Sequence, residues 1–431
     1  MNPNNSDVRS LPESIDDWVD ASFDDEVAFL QSLVQIPTDT PPGNNTAHAL
    51  FTARYLESLG WQVQRIEVPE DEVRAAGLQS ITNLIVTREY GLGGLTIALN
   101  AHGDVVPPGD GWTHDPYGGQ VEEGFLYGRA AAVSKSDFAS YIFAIRALEA
   151  VARPKRGRIE LHLTYDEEFG GELGPGWLLR HELTKPDLLI AAGFSYQVIT
   201  AHNGCLQMQV NVKGKMAHAA IPDTGVDALQ GAVHILNALY AQNVLYRQLR
   251  SDVSGIQHPY LNVGRIEGGT NTNVVPGEVS FKLDRRMIPE ENPVGVEDSI
   301  RQVISQAAQT FNQMHYPDSE GIRVSIQRLL LARSMMPLPG SEVLVQSIQR
   351  HARQILGEDI PAVGTPLYTD VRLYAEQGIP GVIYGAGPRT VLESNAKRAD
   401  ERIALKDLKA ATKIVARTLS DILTDSVHPV Y

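Results

Sequence analysis

Two kinds of apolar pattern alternate along the first half of the chain. Residues 95–99 form a continuous apolar run that predicts a buried strand, and residues 158–165 alternate between apolar and polar positions as a strand does. Residues 138–151 place apolar side chains at helical spacing and predict a buried helix. Strands that alternate with helices in this way predict an α/β fold with a mostly parallel sheet and helices on both faces.

The pattern changes near residue 205. Residues 206–213 alternate with period two and precede a predicted helix over about 226–242, two further strands, a helix over about 296–314 and a last strand. The order strand–helix–strand–strand–helix–strand is typical of a small α+β sandwich. Helix–strand character returns after about residue 337 and ends in a predicted helix over 405–423. We therefore predict a domain over 1–204 and 336–431 that is interrupted by an inserted domain over 205–335.

Composition restricts the class of protein. A chain of 431 residues with 43% hydrophobic and 21% charged residues is typical of a globular protein with two domains. Its net charge of −15 argues against nucleic acid and anionic membrane surfaces as partners. The single cysteine, Cys205, excludes an internal disulfide. We find no apolar run that resembles a signal peptide or a membrane span, and we expect a cytoplasmic location.

Candidate chemistry begins directly after the predicted strand at residues 95–99. His102 and Asp104 follow its carboxyl end, which is where ligands and metals collect in α/β sheets. An aspartate two residues after a histidine can orient the imidazole, or both side chains can reach one site. Residues 158–165 run in the same way into the acidic pair Glu167 and Glu168. The sequence thus indicates a polar site at this edge of the sheet.

Several short motifs, in order, give the chain a family resemblance that covers nearly its whole length. It resembles the di-metal exopeptidases and amidohydrolases that include aminoacylase, carboxypeptidase G, acetylornithine deacetylase and succinyl-diaminopimelate desuccinylase. The matching fragments are His102-Gly-Asp104, Trp112, Asp115-Pro116, Tyr127-Gly128-Arg129, Lys135, Asp166-Glu167-Glu168, Gly170-Gly171, Gly214-Lys215 with His218, Gly268-Gly269, Asn273 to Pro276, and Thr369 to Arg372.

The resemblance implies a zinc-exopeptidase-like catalytic domain and an inserted domain that acts as a lid and dimerisation module. In such enzymes two zinc ions share a bridging aspartate and a hydroxide. By resemblance, His102 is a metal ligand, Glu167 is the general base and Glu168 is a ligand of the other metal. Paired cations lower the pKa of the bound water and polarise the amide, while a carboxylate moves the proton.

Further residues acquire roles through the same resemblance. His218, in the inserted domain, would reach across a dimer interface and stabilise the oxyanion. Asn273, Arg286 and Arg372 would hold a substrate carboxylate, for which arginine offers bidentate contacts. The resemblance therefore implies a homodimer or a higher homo-oligomer that acts on a small molecule.

Three of the five expected metal ligands are absent. Val133 stands where the family has its bridging aspartate, and Phe194 stands where it has an acidic ligand. Lys397 stands where it has its last histidine. A stable di-zinc site normally needs three or more protein ligands for each metal, so we do not expect the ordinary two-zinc mechanism.

Two altered sites are compatible with the remaining residues. In the first, one labile divalent metal (zinc, manganese or similar) binds His102 and Glu168, and Asp104 or, tentatively, Asp137 completes its shell together with substrate atoms. In the second, the ammonium group of Lys397 replaces a cation beside Glu168 and no metal is used. We favour the single metal because a histidine supported by an aspartate is a good ligand. Asp137 is also a common kind of acidic residue for the first turn of a helix.

The function we predict is hydrolysis of a C–N bond, in an amide or an amine, of a small carboxylate-bearing substrate, with Glu167 as the general base. One alternative is hydrolytic deamination of an amino-aromatic acid, as in nitroaromatic aminohydrolases. A second is a metal-free lyase or isomerase that uses Glu167 and Lys397. The third is a non-catalytic protein that retains the substrate pocket.

Overall fold

The computed structural model describes residues 10–424 and divides the chain into two compact units. The first unit takes in the chain up to residue 200, residues 337–363 and the chain from residue 369 onward. The second unit takes in residues 201–336 and 364–368. The predicted domain boundaries stay a prediction.

Helices and strands occur throughout the described residues. The helices are α1 Leu11–Ala21, α2 Phe23–Val34, α3 Thr46–Ser58, α4 Glu70–Ala75, α5 Lys135–Ala152, α6 Pro175–Arg180, α7 Ala228–Tyr246, α8 Pro293–His315, α9 Glu342–Leu356, α10 Val371–Glu376 and α11 Leu405–Thr424. The strands are β1 Val63–Glu67, β2 Thr82–Gly91, β3 Thr96–His102, β4 Val121–Glu122, β5 Phe125–Tyr127, β6 Gly157–Thr164, β7 Leu188–Ala191, β8 Val198–His202, β9 Gly204–Lys213, β10 Ala217–His218, β11 Tyr260–Gly268, β12 Val274–Val275, β13 Glu278–Met287, β14 Arg323–Ala332, β15 Ala362–Thr365, β16 Gly381–Ile383 and β17 Arg402–Ala404.

The large sheet of the first unit has eight strands in the order β1-β2-β6-β3-β7-β16-β8-β15. Its central strands β6, β3, β7 and β16 run parallel, while β2 and β8 join them antiparallel. The α/β class and the mainly parallel sheet are therefore confirmed. Strand β3 is buried along nearly its whole length because it has neighbouring strands on both edges. Its register pairs His102 with Thr164, so the carboxyl ends of β3 and β6 meet.

Helix α5 shows how packing extends an element beyond its apolar pattern. The pattern predicts a start at residue 138, whereas the helix begins at Lys135. The buried Lys135 ammonium group donates to the carbonyls of Leu33 (3.1 Å) and Ile36 (2.8 Å), which end helix α2 and begin the loop after it. These backbone acceptors compensate the desolvation of Lys135 in part, and burial still lowers its pKa to about 7. A buried lysine does not register as an apolar position, so the pattern starts one turn late.

The second unit is an antiparallel sheet covered by two helices. Its strands lie in the order β11-β13-β9-β14, and α7 and α8 pack on the sheet over a hydrophobic core of their own. The predicted order of strands and helices is found here. Strands β10 and β12 form a separate two-stranded ribbon. Within residues 10–424, helices long and apolar enough to cross a membrane are not found.

Candidate active site

His102 lies at the carboxyl end of β3, and its ring is held by Asp104, two residues further along the chain. Asp104 makes both contacts: the Nδ1 atom of His102 lies 3.0 Å from the backbone carbonyl oxygen of Asp104 and 3.4 Å from its carboxylate. Both neighbours of Nδ1 are acceptors, so we assign a proton to Nδ1. The other ring nitrogen, Nε2, lies 3.8 Å from the Glu167 carboxylate. The predicted support of His102 by Asp104 is present in this geometry.

Asp104 also positions the acidic pair that follows β6. Its two carboxylate oxygens accept the backbone N–H groups of Glu167 (3.2 Å) and Glu168 (3.0 Å). Asp104 is completely buried, and these bonds hold the short helical turn Glu167–Phe169 against the end of β3. Two strand ends therefore bring His102, Glu167 and Glu168 together.

Glu167 and His102 form a pair that holds a proton close to neutral pH. Burial raises the pKa of Glu167 to about 8, opposed by the charge of His102 and assisted by that of Glu168. Burial acts to lower the pKa of His102, but the carboxylates of Glu167 and Asp104 outweigh it and raise that pKa well above its usual value. A carboxyl with such a pKa can accept and return a proton at neutral pH, as acid–base catalysis requires.

Lys397 and Glu168 form an ion pair beside this proton-holding pair. The Lys397 Nζ atom lies 2.5 Å from Glu168 Oε2, and the Glu168 carboxylate is only 7% exposed whereas the lysine side chain is 54% exposed. Partial burial acts to lower the pKa of Lys397, but the carboxylates of Glu168 and Glu167 raise it above its usual value. The structure thus places a positive charge next to Glu168.

Val133 lies in a segment that is held by Glu401. The Glu401 carboxylate accepts the backbone N–H groups of Ala132 (3.2 Å) and Val133 (3.3 Å) and of Lys397 (3.4 Å). It also pairs with the buried Arg129 at 2.6 Å. Glu401 and Arg129 thereby join the segment of the expected bridging ligand to the loop of the expected histidine.

Asp137 lies in the first turn of α5, as the more ordinary interpretation anticipated. Its buried carboxylate accepts the backbone N–H of Ala386 at 2.6 Å, and burial raises its pKa to about 7. A Cβ atom at Gly385 would lie 2.0 Å from the Asp137 carboxylate, so only glycine fits opposite it. Its role as a metal ligand stays a prediction.

Arg372 is buried and surrounded by acceptors. Its guanidinium donates to the carbonyl of Gly170 (2.9 Å) and to the carboxylates of Glu172 and Glu376 (both 3.2 Å). Gly170 ends the turn that carries Glu167, so Arg372 helps to hold that turn. Its predicted contact with a substrate carboxylate stays a prediction.

Asp370 is a residue for which sequence reasoning found a motif but no role. Its carboxyl is buried, and burial raises its pKa to about 6, with the charge of His102 opposing this and that of Asp104 adding to it. Within residues 10–424 its Oδ2 atom has no hydrogen-bond partner. The motif at Thr369 to Arg372 was the only signal for Asp370 in the sequence. Asp370 immediately precedes helix α10, and the sequence does not show which strand ends lie near the start of that helix.

The second unit brings together the other predicted residues. His218 ends strand β10, which pairs with β12, and its Nδ1 accepts the backbone N–H of Ala220 at 3.0 Å. Asn273 immediately precedes β12, and its carbonyl accepts the N–H of Ala219 at 3.0 Å. The ribbon therefore holds His218 and Asn273 close together at an exposed position.

Arg286 lies elsewhere in the second unit, on strand β13. It pairs with the carboxylate of Asp284 at 2.7 Å, and its guanidinium lies 5.2 Å from the centre of the Tyr368 ring. One predicted substrate-binding arginine is thus partly neutralised by an aspartate two positions before it.

A two-metal centre of the kind that the resemblance implies does not fit these side chains. Val133 and Phe194 offer no ligand atom, and the Lys397 ammonium group has no free lone pair for a metal. Within the part of the chain from residue 10 to residue 424, no three His, Cys, Asp or Glu side chains are grouped so that they could hold a metal ion. A single metal at His102 and Glu168 with substrate atoms in its shell stays a prediction.

Comparison with known proteins is consistent with the resemblance. Residues 98–421 match the sequence model of a family described as peptidase family M20/M25/M40. A succinyl-diaminopimelate desuccinylase of Gluconacetobacter diazotrophicus is 26% identical over 92% of this chain and 97% of its own. An acetylornithine deacetylase of Myxococcus xanthus is 27% identical over 85% of this chain and 89% of its own. The solved YXEP protein of Bacillus subtilis, described as a dinuclear metal binding peptidase, shares the fold with a TM-score of 0.64 and 17% identity over 94% of this chain and 99% of its own.

Proposed function

The chain belongs to peptidase family M20/M25/M40 and is a hydrolase, and on that premise we propose that it cleaves an amide C–N bond in a small carboxylate-bearing substrate, with Glu167 as the general base. The observation that carries this proposal is the placement of Glu167. Its backbone is held by Asp104, and its carboxylate lies 3.8 Å from His102 Nε2. A proton-transferring carboxyl that is fixed in this way satisfies the geometric requirement for a general base.

The proposed reaction needs one proton to move twice. Glu167 takes a proton from a water molecule as the water oxygen bonds to the carbonyl carbon of the amide. The C–N bond then breaks, and Glu167 returns the proton to the departing nitrogen, which yields a carboxylic acid and an amine; the acid passes its remaining proton to the amine or to solvent. His102 lies beside Glu167 as a cation and stabilises its ionised form, which is present before the first transfer and again after the second.

Substrate recognition is assigned to the second unit. We propose that Asn273 and Arg286 bind a substrate carboxylate and that His218 stabilises the oxyanion of a substrate held by the partner subunit. Arg286 supports this role because an arginine beside a single aspartate keeps donors for a second carboxylate. The exposed position of His218 supports action outside its own core.

A homodimer through the second unit completes the proposal. Among the exposed large apolar residues of helix α7, four have spacings of four, seven and four positions, which places them on one face: Leu229, Val233, Tyr240 and Val244. Strand β11 is an edge strand of the same unit and exposes Ile266. An apolar helix face beside an open strand edge is a surface that a second copy of the chain can cover.

Release of a primary amine from a panel of amides tests the proposed activity. The panel contains N-succinyl and N-acetyl amino acids, dipeptides and an amino-nitrobenzoic acid, and each is assayed with and without a chelator. We expect amine release from carboxylate-bearing amides, and Glu167→Gln should slow it by about 10²–10⁴-fold. If ammonia is released from the aromatic acid and no amide is cleaved, the activity is deamination and not amide hydrolysis. Binding without any turnover over the whole panel would overturn the proposal.

A further inference from the structure

We propose that the ammonium group of Lys397 takes the place of a metal cation beside Glu168, so that this site excludes zinc and works without it. The assignment of the site follows from geometry alone, while the part of Lys397 in catalysis rests on the proposed function. Relatives of this fold include a protein described as binding a dinuclear metal, and the side chains of this chain do not fit such a centre. Lys397 offers a physical reason for the difference.

The first argument is the distance between the charges. At 2.5 Å from Glu168 Oε2, the Lys397 Nζ atom lies at charge-assisted hydrogen-bond distance from the oxygen that a metal at Glu168 would contact. A zinc ion binds carboxylate oxygen at about 2.0–2.2 Å, so an ion on the same side of that oxygen would collide with Nζ. Zinc therefore has to displace the lysine before it can bind there.

The backbone of Lys397 adopts an uncommon conformation. Its φ angle is +62°, in the left-handed region that residues other than glycine rarely adopt. The N–H group of Lys397 donates to Glu401 Oε2 at 3.4 Å, and the same oxygen is paired with the buried Arg129. The loop is thus anchored in a conformation that projects the lysine toward Glu168, and a freely mobile surface lysine would need no such anchor.

Within the described residues, the side chains around Lys397 also leave no ligand for a metal on this side of Glu168. The ammonium group lies 2.5 Å from Glu168, and the imidazole of His102 lies 3.8 Å from Glu167 instead. A positively charged group therefore already faces Glu168, and an ammonium group has no lone pair to offer a metal.

In catalysis, Lys397 could also bind the carbonyl oxygen of the substrate. An ammonium group has three N–H donors, and only one of them is needed for Glu168. The side chain of Lys397 is 54% exposed, so the remaining donors are accessible to a substrate. One of them can donate to the carbonyl oxygen as it gains negative charge during attack by water, a contribution that a metal ion makes in other hydrolases.

Zinc binding by the full-length protein, measured by calorimetry and by thermal unfolding with zinc chloride, tests this assignment without any substrate. We expect the purified wild type to bind zinc weakly and to show no rise in melting temperature. Lys397→His supplies a neutral ligand beside Glu168 and should bind zinc at least about tenfold more tightly. Lys397→Arg keeps the positive charge and should exclude zinc as the wild type does.

A matched control separates this site from histidines in general. Lys413 pairs with Asp20 at 2.7 Å in another lysine–carboxylate pair, and Lys413→His should leave zinc affinity unchanged. Tight binding of one zinc ion by the wild type, unaltered in Lys397→Arg, would overturn the assignment. Equal zinc affinities of Lys397→His and wild type in two folded proteins would overturn it as well. If zinc is excluded as expected but no amide is cleaved, the proposed function fails while the assignment of the site stands.

Discussion

Arg129 donates to Glu401 across 2.6 Å, and both side chains are almost completely buried. They are 272 positions apart in the chain. The same carboxylate accepts the backbone N–H groups of Val133 and Lys397, so one buried ion pair joins two segments that border the candidate active site. Burial raises the pKa of Glu401, and Arg129 opposes that shift.

Glu401→Gln removes one charge of this pair and leaves the Arg129 guanidinium buried without a counter-ion. We expect the free energy of unfolding to fall by about 3–5 kcal/mol, because an uncompensated buried charge is strongly destabilising. Chemical denaturation monitored by circular dichroism measures this change. As a control, Asp359→Asn breaks the exposed pair with Arg353 and should leave stability almost unchanged, because solvent screens an exposed ion pair. Equal effects of the two substitutions would show that the buried pair has no special role.

Glu167→Gln keeps the size of the side chain and removes its ability to accept a proton. We expect kcat on a cleavable amide to fall by about 10²–10⁴-fold, the usual contribution of a general base, with the melting temperature retained. The control is Glu89→Gln on strand β2. Glu89 is exposed and pairs with Arg158 at 2.8 Å, so this substitution should leave kcat unchanged. A Glu167→Gln protein with wild-type kcat would remove Glu167 from the mechanism.

Glu26 makes folding depend on pH. It is fully buried in helix α2, its Oε1 atom lies 2.6 Å from the hydroxyl of Thr412, and burial raises its pKa from 4.5 to about 8. The folded state therefore binds a proton that the unfolded state has lost between these two values. The stabilisation is complete below pH 4.5 and is lost as the pH rises through 8, by at most about 1.4 kcal/mol per pH unit.

Glu26→Gln tests this dependence. The variant keeps a neutral group opposite Thr412 and should lose less stability than the wild type between pH 6 and about pH 8. Unfolding midpoints measured across this range give the comparison. Parallel curves for the two proteins would show that Glu26 does not hold a proton in the folded state.

Arg286→Gln removes the charge that we assign to the substrate carboxylate. We expect KM to rise about tenfold or more with little change in kcat, because the contact is made in the ground state and in the transition state alike. Steady-state kinetics on the amide found in the panel measure both constants. Arg265→Gln, at an exposed arginine on strand β11, is the control and should leave KM unchanged. A fall in kcat alone would contradict a role in substrate binding.

Val233→Glu and Val244→Glu place charges on the exposed apolar face of helix α7. Val233 is 46% exposed and Val244 is 62% exposed, so the substitutions should not disturb the core of the second unit. We expect the double variant to be monomeric by light scattering whereas the wild type is dimeric, because desolvating two charges opposes association. Leu92→Glu, in an exposed turn of the first unit, should leave the dimer intact. A monomeric wild type would contradict the proposed interface.

The apolar pattern was sufficient for the fold, and strand-end positions were sufficient for part of the site. The run at residues 95–99 correctly predicted strand β3, and the ends of β3 and β6 lie side by side because parallel neighbours share an edge. From the sequence alone, that rule places His102, Asp104 and Glu167 at one edge of the sheet. Helix α1 was not predicted, since its buried residues are only Ile15 and Val19.

The connections made by buried polar groups could not be read from the sequence. The bonds from Glu401 to Arg129 and Val133 span more than 260 positions, and a polar residue carries no sign of its distant partner. Asp370 is another example, since the residue type alone does not show whether an aspartate is buried or exposed. The sequence allowed either a metal at Glu168 or the ammonium group of Lys397 beside it. Only the structure shows that Lys397 Nζ lies 2.5 Å from Glu168.

The most direct measurement of the central claim is mass spectrometry of the products formed in water enriched in oxygen-18. Hydrolysis of an amide at Glu167 predicts one labelled oxygen in the new carboxylate and an unlabelled amine, with turnover lost in Glu167→Gln. The label should enter equally with and without a chelator if Lys397 supplies the positive charge beside Glu168. A product that forms without oxygen-18 would contradict hydrolysis and favour a lyase or an isomerase.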